Sequence, residues 1–478
     1  MAFMSTSSIV NSLLSSVDRR PEGWAVRDPH AQLSYAELAA AVEREAAELV
    51  AAGLTAGDLV MTVATHSVDY LVTYFAAAHL GCRVLPWDSE APTPEAEREI
   101  ARYAVPFVLR PGPEPVSSRL TRTNAEPTHR VADAAVCLPT SGTSGLPKRA
   151  EHSPQRLLAN ARAHAESVHL SESDVCLVSL SPAFGYCHTA QILAVLDAGG
   201  RLVFPPRPAL PGELGALVER WGVTTTTMVP HQLGEPMLRA LGQGGTLRQL
   251  VLGGSAVGEQ LARRVAQTLP DTELVQTWGM TEAGPRLTTW RSGRDGERLG
   301  SVGLALDGVQ VVAAGPDGSV PLASVPADLR LAPGELVVRT PYLMRGYLDA
   351  PEATAAAIIA PDTLRTGDLG RVDGDGYVYL SGRAKNLIDV SGKKVSPEEI
   401  ESVLLAMPGV AEVKVFGEPD PRRGQAPSAV VVAEPGAELT QAALRAYACE
   451  QLSRHKWPHR FEIVTRIDRT QNGKVRRW

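Results

Sequence analysis

The stretch Thr140-Ser141-Gly142-Thr143-Ser144-Gly145-Leu146-Pro147-Lys148 constrains this chain more than any other. It follows an apolar run, Ala134-Ala135-Val136-Cys137-Leu138, that reads as a short buried strand. A helical pattern comes after it, with Ser153 as the N-cap and Pro154 at the first helical position. A strand, then a loop of glycines and hydroxyls, then a basic residue is an arrangement suited to phosphate. Glycine lets backbone N–H groups turn inward, and Ser/Thr hydroxyls and a lysine add donors and charge. The spacing is not that of a G-x-x-x-x-G-K loop, because Gly145 is followed by Leu-Pro-Lys. Flexible linkers share this composition, but the order T-S-G-T-S-G-x-P-K is far more specific than a bare G-x-G-x-x-G.

Further segments fall in a fixed order along the chain. They are Leu33-Ser34-Tyr35-Ala36-Glu37-Leu38, Thr277-Trp278-Gly279-Met280-Thr281-Glu282, and Gly334-Glu335-Leu336 through Gly346-Tyr347 to Pro351-Glu352-Ala353-Thr354. After these come Thr366-Gly367-Asp368, Ser381-Gly382-Arg383-Ala384-Lys385 running to Gly392-Lys393-Lys394, and finally Arg469-Thr470-Gln471-Asn472-Gly473-Lys474. Together with the glycine loop they resemble the motifs of the adenylate-forming superfamily: acyl- and aryl-CoA ligases, luciferases and peptide-synthetase adenylation domains. The resemblance runs from residue 33 to residue 475.

The chain's 478 residues exceed what one hydrophobic core usually serves, so more than one domain is expected. With 47 basic and 53 acidic residues the net charge is −6, which argues against a general nucleic-acid or anionic-membrane binder. No apolar run is long enough to span a bilayer, and the start, Met1-Ala2-Phe3-Met4, lacks the basic region of a signal peptide. The five cysteines are scattered without a C-x-x-C, as expected of reduced cytosolic thiols, and the expected localisation is cytoplasmic. His455 and His459 are separated by the helix breaker Pro458 and read as surface structure, not as a metal site.

From Leu33 to about Leu109, amphipathic helices alternate with short apolar strands such as residues 58–63 and 82–86, which predicts an α/β layer with parallel strands. A second α/β stretch runs to about Trp278 and includes the β-branched segment 223–229. Residues 300–382 turn to short strands and Gly/Pro/Asp turns, the pattern of a small barrel-like subdomain. The last part reads as a compact α+β unit with strands at 413–416 and 429–432 and a helix capped by Thr440. The expected fold is therefore α/β: a large N-terminal domain of helix-flanked sheets plus the barrel-like subdomain, hinged to a small α+β C-terminal domain. The resemblance implies an adenylation core over 1–382, a hinge at 383–386 and a mobile C-terminal domain over 387–478 that carries Lys474.

The chemistry implied is attack of a carboxylate on the α-phosphate of ATP, giving an acyl-adenylate and pyrophosphate. Charge accumulates on phosphoryl oxygens in such a step, so positioning and fixed positive charge should dominate catalysis. By resemblance, Thr140, Ser141, Gly142, Thr143, Ser144, Gly145 and Lys148 hold the β- and γ-phosphates. Glu282 holds Mg²⁺, Thr281 bonds the α-phosphate, and Trp278 with Gly279 lies against adenine. Asp368 takes the ribose hydroxyls, Arg383 pairs with ribose or phosphate, Lys385 is the hinge residue, and Lys474 reaches the α-phosphate and the substrate carboxylate. His152 is read as structural.

The acid pocket is expected along Phe184, Gly185, Tyr186 and His188, with His231, Gly253 and Gly254 as the other walls. Relatives that activate amino acids carry an Asp after the Phe, and many fatty-acyl members carry a His there; this chain has Gly185, which leaves room for a flat ring that Tyr186 could stack on. His188 and His231 are each candidates either to read a ring hydroxyl or to be satisfied core residues. The acceptor implied is the thiol of CoA or of a phosphopantetheine on a separate carrier protein, since no carrier domain follows before Trp478. Within enzymes the rivals are an amide synthetase using a free amine and a diazo-forming relative activating nitrite. From another class, the rival is an inactive ligand-binding relative.

Overall fold

The computed structural model describes residues 8–125, 135–140, 148–254, 257–315, 333–391 and 393–467, and every structural statement below concerns these. The expected phosphate loop between Ser141 and Pro147, and Lys474, lie outside them.

A seven-stranded sheet has Arg83–Asp88 at its centre, paired in parallel with Leu59–Ala64, which in turn pairs in parallel with Phe107–Leu109. A nine-stranded sheet carries a parallel run in the spatial order Glu273–Trp278, Gln249–Leu252, Thr225–Met228, Val175–Leu177, Arg201–Val203 and Trp24–Arg27. Helices Tyr35–Ala51, Val68–His79 and Pro154–Ser167 supply apolar faces to one continuous core that also takes Val60 and Val84 from the first sheet and Cys176 and Leu202 from the second. The alternation of helices and parallel strands expected from the sequence is thus present. The motif beginning at Leu33 has a local cause: Ser34 caps helix Tyr35–Ala51 by accepting from the Glu37 N–H, while the Glu37 carboxylate accepts from the Ser34 N–H at 2.7 Å.

One local expectation changes. The apolar run becomes strand Ala135–Pro139, buried throughout, but the chain does not pass from the glycine loop straight into the helix. It first forms strand Arg149–His152, antiparallel to Ala135–Pro139, with Pro139 opposite Arg149 and the Thr140 N–H bonded to the Lys148 carbonyl at 2.9 Å. Residues 141–147 therefore connect the two strands of a hairpin, and helix Pro154–Ser167 starts after it with Ser153 as its cap. The strand Arg-Ala-Glu-His escaped the hydrophobic pattern because its charges are buried as pairs. Arg149 meets Glu99 at 2.9 Å, and Glu151 meets Arg83.

Residues 304–383 contain a five-stranded antiparallel sheet in which Thr363–Val372 pairs with Gly334–Arg339, Ile358–Ala360 and Val378–Arg383. The C-terminal unit has its own five-stranded sheet, built on the hairpin Val410–Asp420 and Gly424–Ala433, and its own core around Ile400, Val415, Val431 and Phe461. Its helix Gln441–Gln451 is capped by Thr440, as read from the sequence.

Candidate active site

Side by side in the nine-stranded sheet, parallel strands end on the same edge, and the candidate segments follow those ends. Ser179 to Tyr186 follows Val175–Leu177, Val229 follows Thr225–Met228, Gly253-Gly254 follows Gln249–Leu252, and Gly279 to Glu282 follows Glu273–Trp278. Carboxyl ends of parallel strands are where open α/β sheets bind ligands. Segments more than 90 residues apart in sequence become neighbours only through this strand order.

Asp368 is fixed from several sides. The Thr366 hydroxyl donates to the Leu336 carbonyl at 2.7 Å and accepts the Asp368 N–H at 3.0 Å, and Gly367 between them has φ +68°, so the T-G-D segment is one tight turn. Trp278 Nε1–H donates to Asp368 Oδ2 at 2.9 Å, and Arg383 Nε lies 2.7 Å from Oδ1. Arg383 is the cross-strand partner of Asp368 in the sheet register, which is why the two motifs meet. The expectation that Trp278 offers a ring to adenine needs restating: the indole is only 6% exposed and packs with Leu287 and Val302, so its visible role is to aim the Asp368 carboxylate. Removing that donor in Trp278→Phe should raise the ATP KM about tenfold, the scale of one hydrogen bond to a charged group, with little change in the acid KM. Steady-state kinetics varying each substrate checks this; equal effects on both would place Trp278 in folding alone.

A second cluster lies around Glu282. The Tyr347 hydroxyl donates to Glu282 Oε1 at 2.8 Å, and the Lys148 ammonium sits 4.6 Å from the centre of the Tyr347 ring. Burial and the Glu282 charge push the Tyr347 hydroxyl well above its ordinary value, so it stays a donor. The Thr281 hydroxyl donates to the Pro139 carbonyl at 3.3 Å, and the Thr281 carbonyl lies 2.7 Å from His152 Nε2. The Glu282 carbonyl accepts the Met344 N–H at 2.9 Å. Thr281 and Glu282 thus tie the end of one large sheet to the other, and His152, fully buried, has the structural place read for it. Gly279 is required by packing: a Cβ there would collide with the Pro285 carbonyl oxygen.

Lys385 lies in the turn Ala384–Asn386, close enough to Arg383, Lys148, Glu282 and Asp368 for all four charges to bear on it. Its ammonium is held below the ordinary lysine value, first by desolvation and then by Arg383 and Lys148, with Glu282 and Asp368 opposing. The next segment is anchored to this turn: the Ser396 hydroxyl donates to the Ser381 carbonyl at 2.6 Å, and Asn386 Nδ2 donates to Glu398 at 2.8 Å.

The expected acid pocket is brought together in part. Tyr186 opens a π-helical segment, Tyr186–Leu193, and its hydroxyl lies 3.0 Å from Thr277 Oγ1. Its ring packs directly on Gly253, where any Cβ would collide with the phenol. Gly254, at φ +81°, lies beside Val229, and Phe184 is half-buried. The side chain of His231 is outside the described residues. Two expectations are corrected. His188 is 1% exposed, with Nε2 2.6 Å from the Tyr74 hydroxyl, so it is a core residue and not a wall. Gly185 does not face open space, because a Cβ there would already meet Leu138 at 3.3 Å and Pro285 at 3.4 Å. Its small size lets the turn pack against those two residues. Sequence reasoning missed Arg286 altogether. The signal was an arginine set among Ala283-Gly284-Pro285 and Leu287, where an apolar residue would be ordinary.

Among the described residues no group of three or more His, Cys, Asp or Glu side chains is arranged to hold a metal ion. A divalent ion at this site would depend on Glu282 together with phosphate oxygens. That suits magnesium, which takes one or two carboxylates plus substrate phosphates, and the Glu282 carboxylate keeps acceptor capacity beyond its bond to Tyr347. No described helix is long and apolar enough to cross a membrane.

The chain matches the AMP-binding enzyme family over residues 13–348 and the C-terminal domain of the AMP-binding enzymes over 399–474. It is 31% identical to a feruloyl-CoA synthase of Amycolatopsis sp over 95% of its length and 94% of that protein, and 31% identical to an indoleacetate–CoA ligase of Aromatoleum aromaticum over 96% and 94%. Among solved structures it superposes on ATP-bound MatB from Rhodopseudomonas palustris with a TM-score of 0.85 and 27% identity, covering 99% of this chain and 97% of that one. The geometry around Asp368 and Glu282, the two-part domain architecture and these matches agree, and the chain belongs to the AMP-binding enzyme family, within the adenylate-forming superfamily.

Proposed function

We propose that this enzyme activates an aryl carboxylic acid with ATP and passes the acyl group to the thiol of CoA. A carboxylate oxygen of the acid bonds to the α-phosphorus, the bond to the β-phosphate breaks, and pyrophosphate leaves with the electron pair. The CoA thiolate then bonds to the acyl carbon and AMP departs. The observation that carries the reading is the convergence of two clusters, Asp368–Trp278–Arg383 and Glu282–Tyr347–Lys148, with Lys385 within electrostatic reach of both. The first offers a carboxylate to ribose hydroxyls. The second offers a cation to phosphates and a carboxylate to Mg²⁺, which when bound would supply positive charge to the phosphoryl oxygens. Support for an aryl acid comes from the aromatic ring of Tyr186 beside Gly253 and from relatives named for ferulate and indoleacetate.

The test is pyrophosphate release from ATP with a panel of benzoates, cinnamates, fatty acids and amino acids, repeated with CoA, a carrier protein or an amine as acceptor. A preference for long alkyl chains or amino acids would defeat the aryl assignment, and turnover with amines alone would defeat the thioester. We further propose that residues 383–386 form a hinge on which the C-terminal domain turns between the two half-reactions. Lys385→Pro fixes φ at that position and should slow thioester formation about 10²-fold, a loss typical of displaced reacting groups, while acyl-AMP accumulates on the enzyme. Single-turnover assays of each half-reaction check it; unchanged thioester formation would place the hinge elsewhere.

A further inference from the structure

The buried arginines among the described residues are Arg83, Arg119, Arg149 and Arg286. Arg83 pairs with Glu151, Arg119 with Glu45 at 3.1 Å and Arg149 with Glu99 at 2.9 Å. Arg286 is 4% exposed and has no carboxylate partner among the described residues. A guanidinium does not deprotonate in proteins, and a buried, unpaired charge is strongly unfavourable. The exception therefore calls for a reason.

Its surroundings are specific. The backbone is held from both sides by Asn160, which accepts the Arg286 N–H at 2.9 Å and donates to its carbonyl at 2.7 Å. The guanidinium carbon lies 3.7 Å from the centre of the Tyr186 ring, and one terminal N–H donates to Thr277 Oγ1 at 2.8 Å. Nε–H, also buried, has no hydrogen-bond partner. The neighbours do not supply a counter-charge. Burial pushes the Tyr186 hydroxyl above its ordinary value, which leaves it neutral at neutral pH, and burial together with Arg286 holds His164 down at about 3, also neutral. Thr277 meets the hydroxyl of Tyr186 at 3.0 Å, and Tyr186 packs on Gly253, the segment read as a wall of the acid pocket.

We propose that the acid substrate carries a second anionic group, such as a second carboxylate at the end remote from the reacting one, and that Arg286 is the specificity-determining residue that pairs with it. This rests on the reading of the Tyr186–Gly253 wall as the acid pocket. A neutral acid leaves the guanidinium unpaired in the complex. A diacid completes the same kind of pair that the other three buried arginines make within the protein.

The experiment compares terephthalate, 4-carboxycinnamate and glutarate, each against its monomethyl ester, for wild type, Arg286→Gln and Arg286→Lys. Pyrophosphate release is one readout, and thermal shift with acid alone is the other. The best diacid should exceed its ester in wild-type kcat/KM by about ten- to a hundredfold, the range for a charge-assisted hydrogen bond. Arg286→Gln should bring that ratio near one, and Arg286→Lys should retain part of it. Wild type that uses every ester as well as its diacid overturns the proposal, whether or not the variants fold. So does a ratio unchanged in Arg286→Gln. If no acid releases pyrophosphate but a diacid raises the melting temperature of wild type and not of Arg286→Gln, the adenylation reading fails while the anion site stands. If neither readout responds to any diacid, the anion site fails, and the adenylation reading is decided separately by pyrophosphate release with the monoacid panel.

Discussion

Replacing Lys474 by alanine should lower the rate of acyl-adenylate formation by about 10²–10³, while thioester formation from a supplied acyl-adenylate stays near the wild-type rate. The magnitude is that of one fixed donor removed from developing negative charge in a water-poor site. The role is proposed from the motif Arg469-Thr470-Gln471-Asn472-Gly473-Lys474, which lies outside the described residues. The selectivity between half-reactions follows from the proposed hinge. The C-terminal unit brings Lys474 to the phosphates for the first step and turns away for the second, so the lysine is absent when the thiol attacks. Pyrophosphate release and single-turnover acyl transfer measure the two steps separately. Equal losses in both, or a loss in neither, would remove Lys474 from this role. Lys148 should not compensate, because its ammonium is committed to the Tyr347–Glu282 side of the site.

Stability should fall steeply between about pH 6.5 and pH 3, the interval between the ordinary histidine pKa and the folded-state values. His152, His164 and His188 are at most 1% exposed, and burial holds them down at about 4, 3 and 3 respectively. In the unfolded chain each takes up a proton near its ordinary value, and in the folded chain it does not. Because the folded pKa is the lower one, the unfolded state binds more protons and stability drops as pH falls. Each such histidine removes on the order of 1 kcal/mol by pH 5.5, so together they remove several kcal/mol. That is a large part of the 5–15 kcal/mol typical of a folded protein. Asp69 and Asp88, whose carboxyls burial pushes up, offset some of this loss. Asp174, Glu273 and Asp295 are held low and act only at more acid pH. His66, which burial also holds at about 3, adds a fourth contribution of the same sign. Denaturant unfolding at pH 7.5 and 5.5 gives the difference directly, and His164→Gln should reduce it by about a quarter. An unchanged midpoint would mean that these rings are hydrated in the native state.

The family and the two-part architecture were legible in the sequence, and the residues proposed for the nucleotide side were chosen from it. The reason is that their chemistry is local: a T-G-D turn, a glycine-hydroxyl loop and a T-E pair each occupy a few consecutive residues whose types are chosen for backbone geometry or charge. The Ser153 and Thr440 caps were legible for the same cause, whereas the Ser34–Glu37 capping box emerged only from the structure. Strand Arg149–His152 was not, because buried ion pairs disguise it as surface, and each pairing partner lies at least 50 residues away. The pocket divided along the same line. Tyr186 and Gly253 come together only through the order of parallel strands, and His188 turned from a wall candidate into a partner of Tyr74 in the core. Arg286 is the clearest case. A charge in a sequence is exposed, paired or waiting for a ligand, and only the packing of Asn160, Thr277 and Tyr186 around it decided which. Local propensity and spacing carried the residues that work alone, whereas burial and long-range pairing, which depend on every other segment at once, decided the residues that work together.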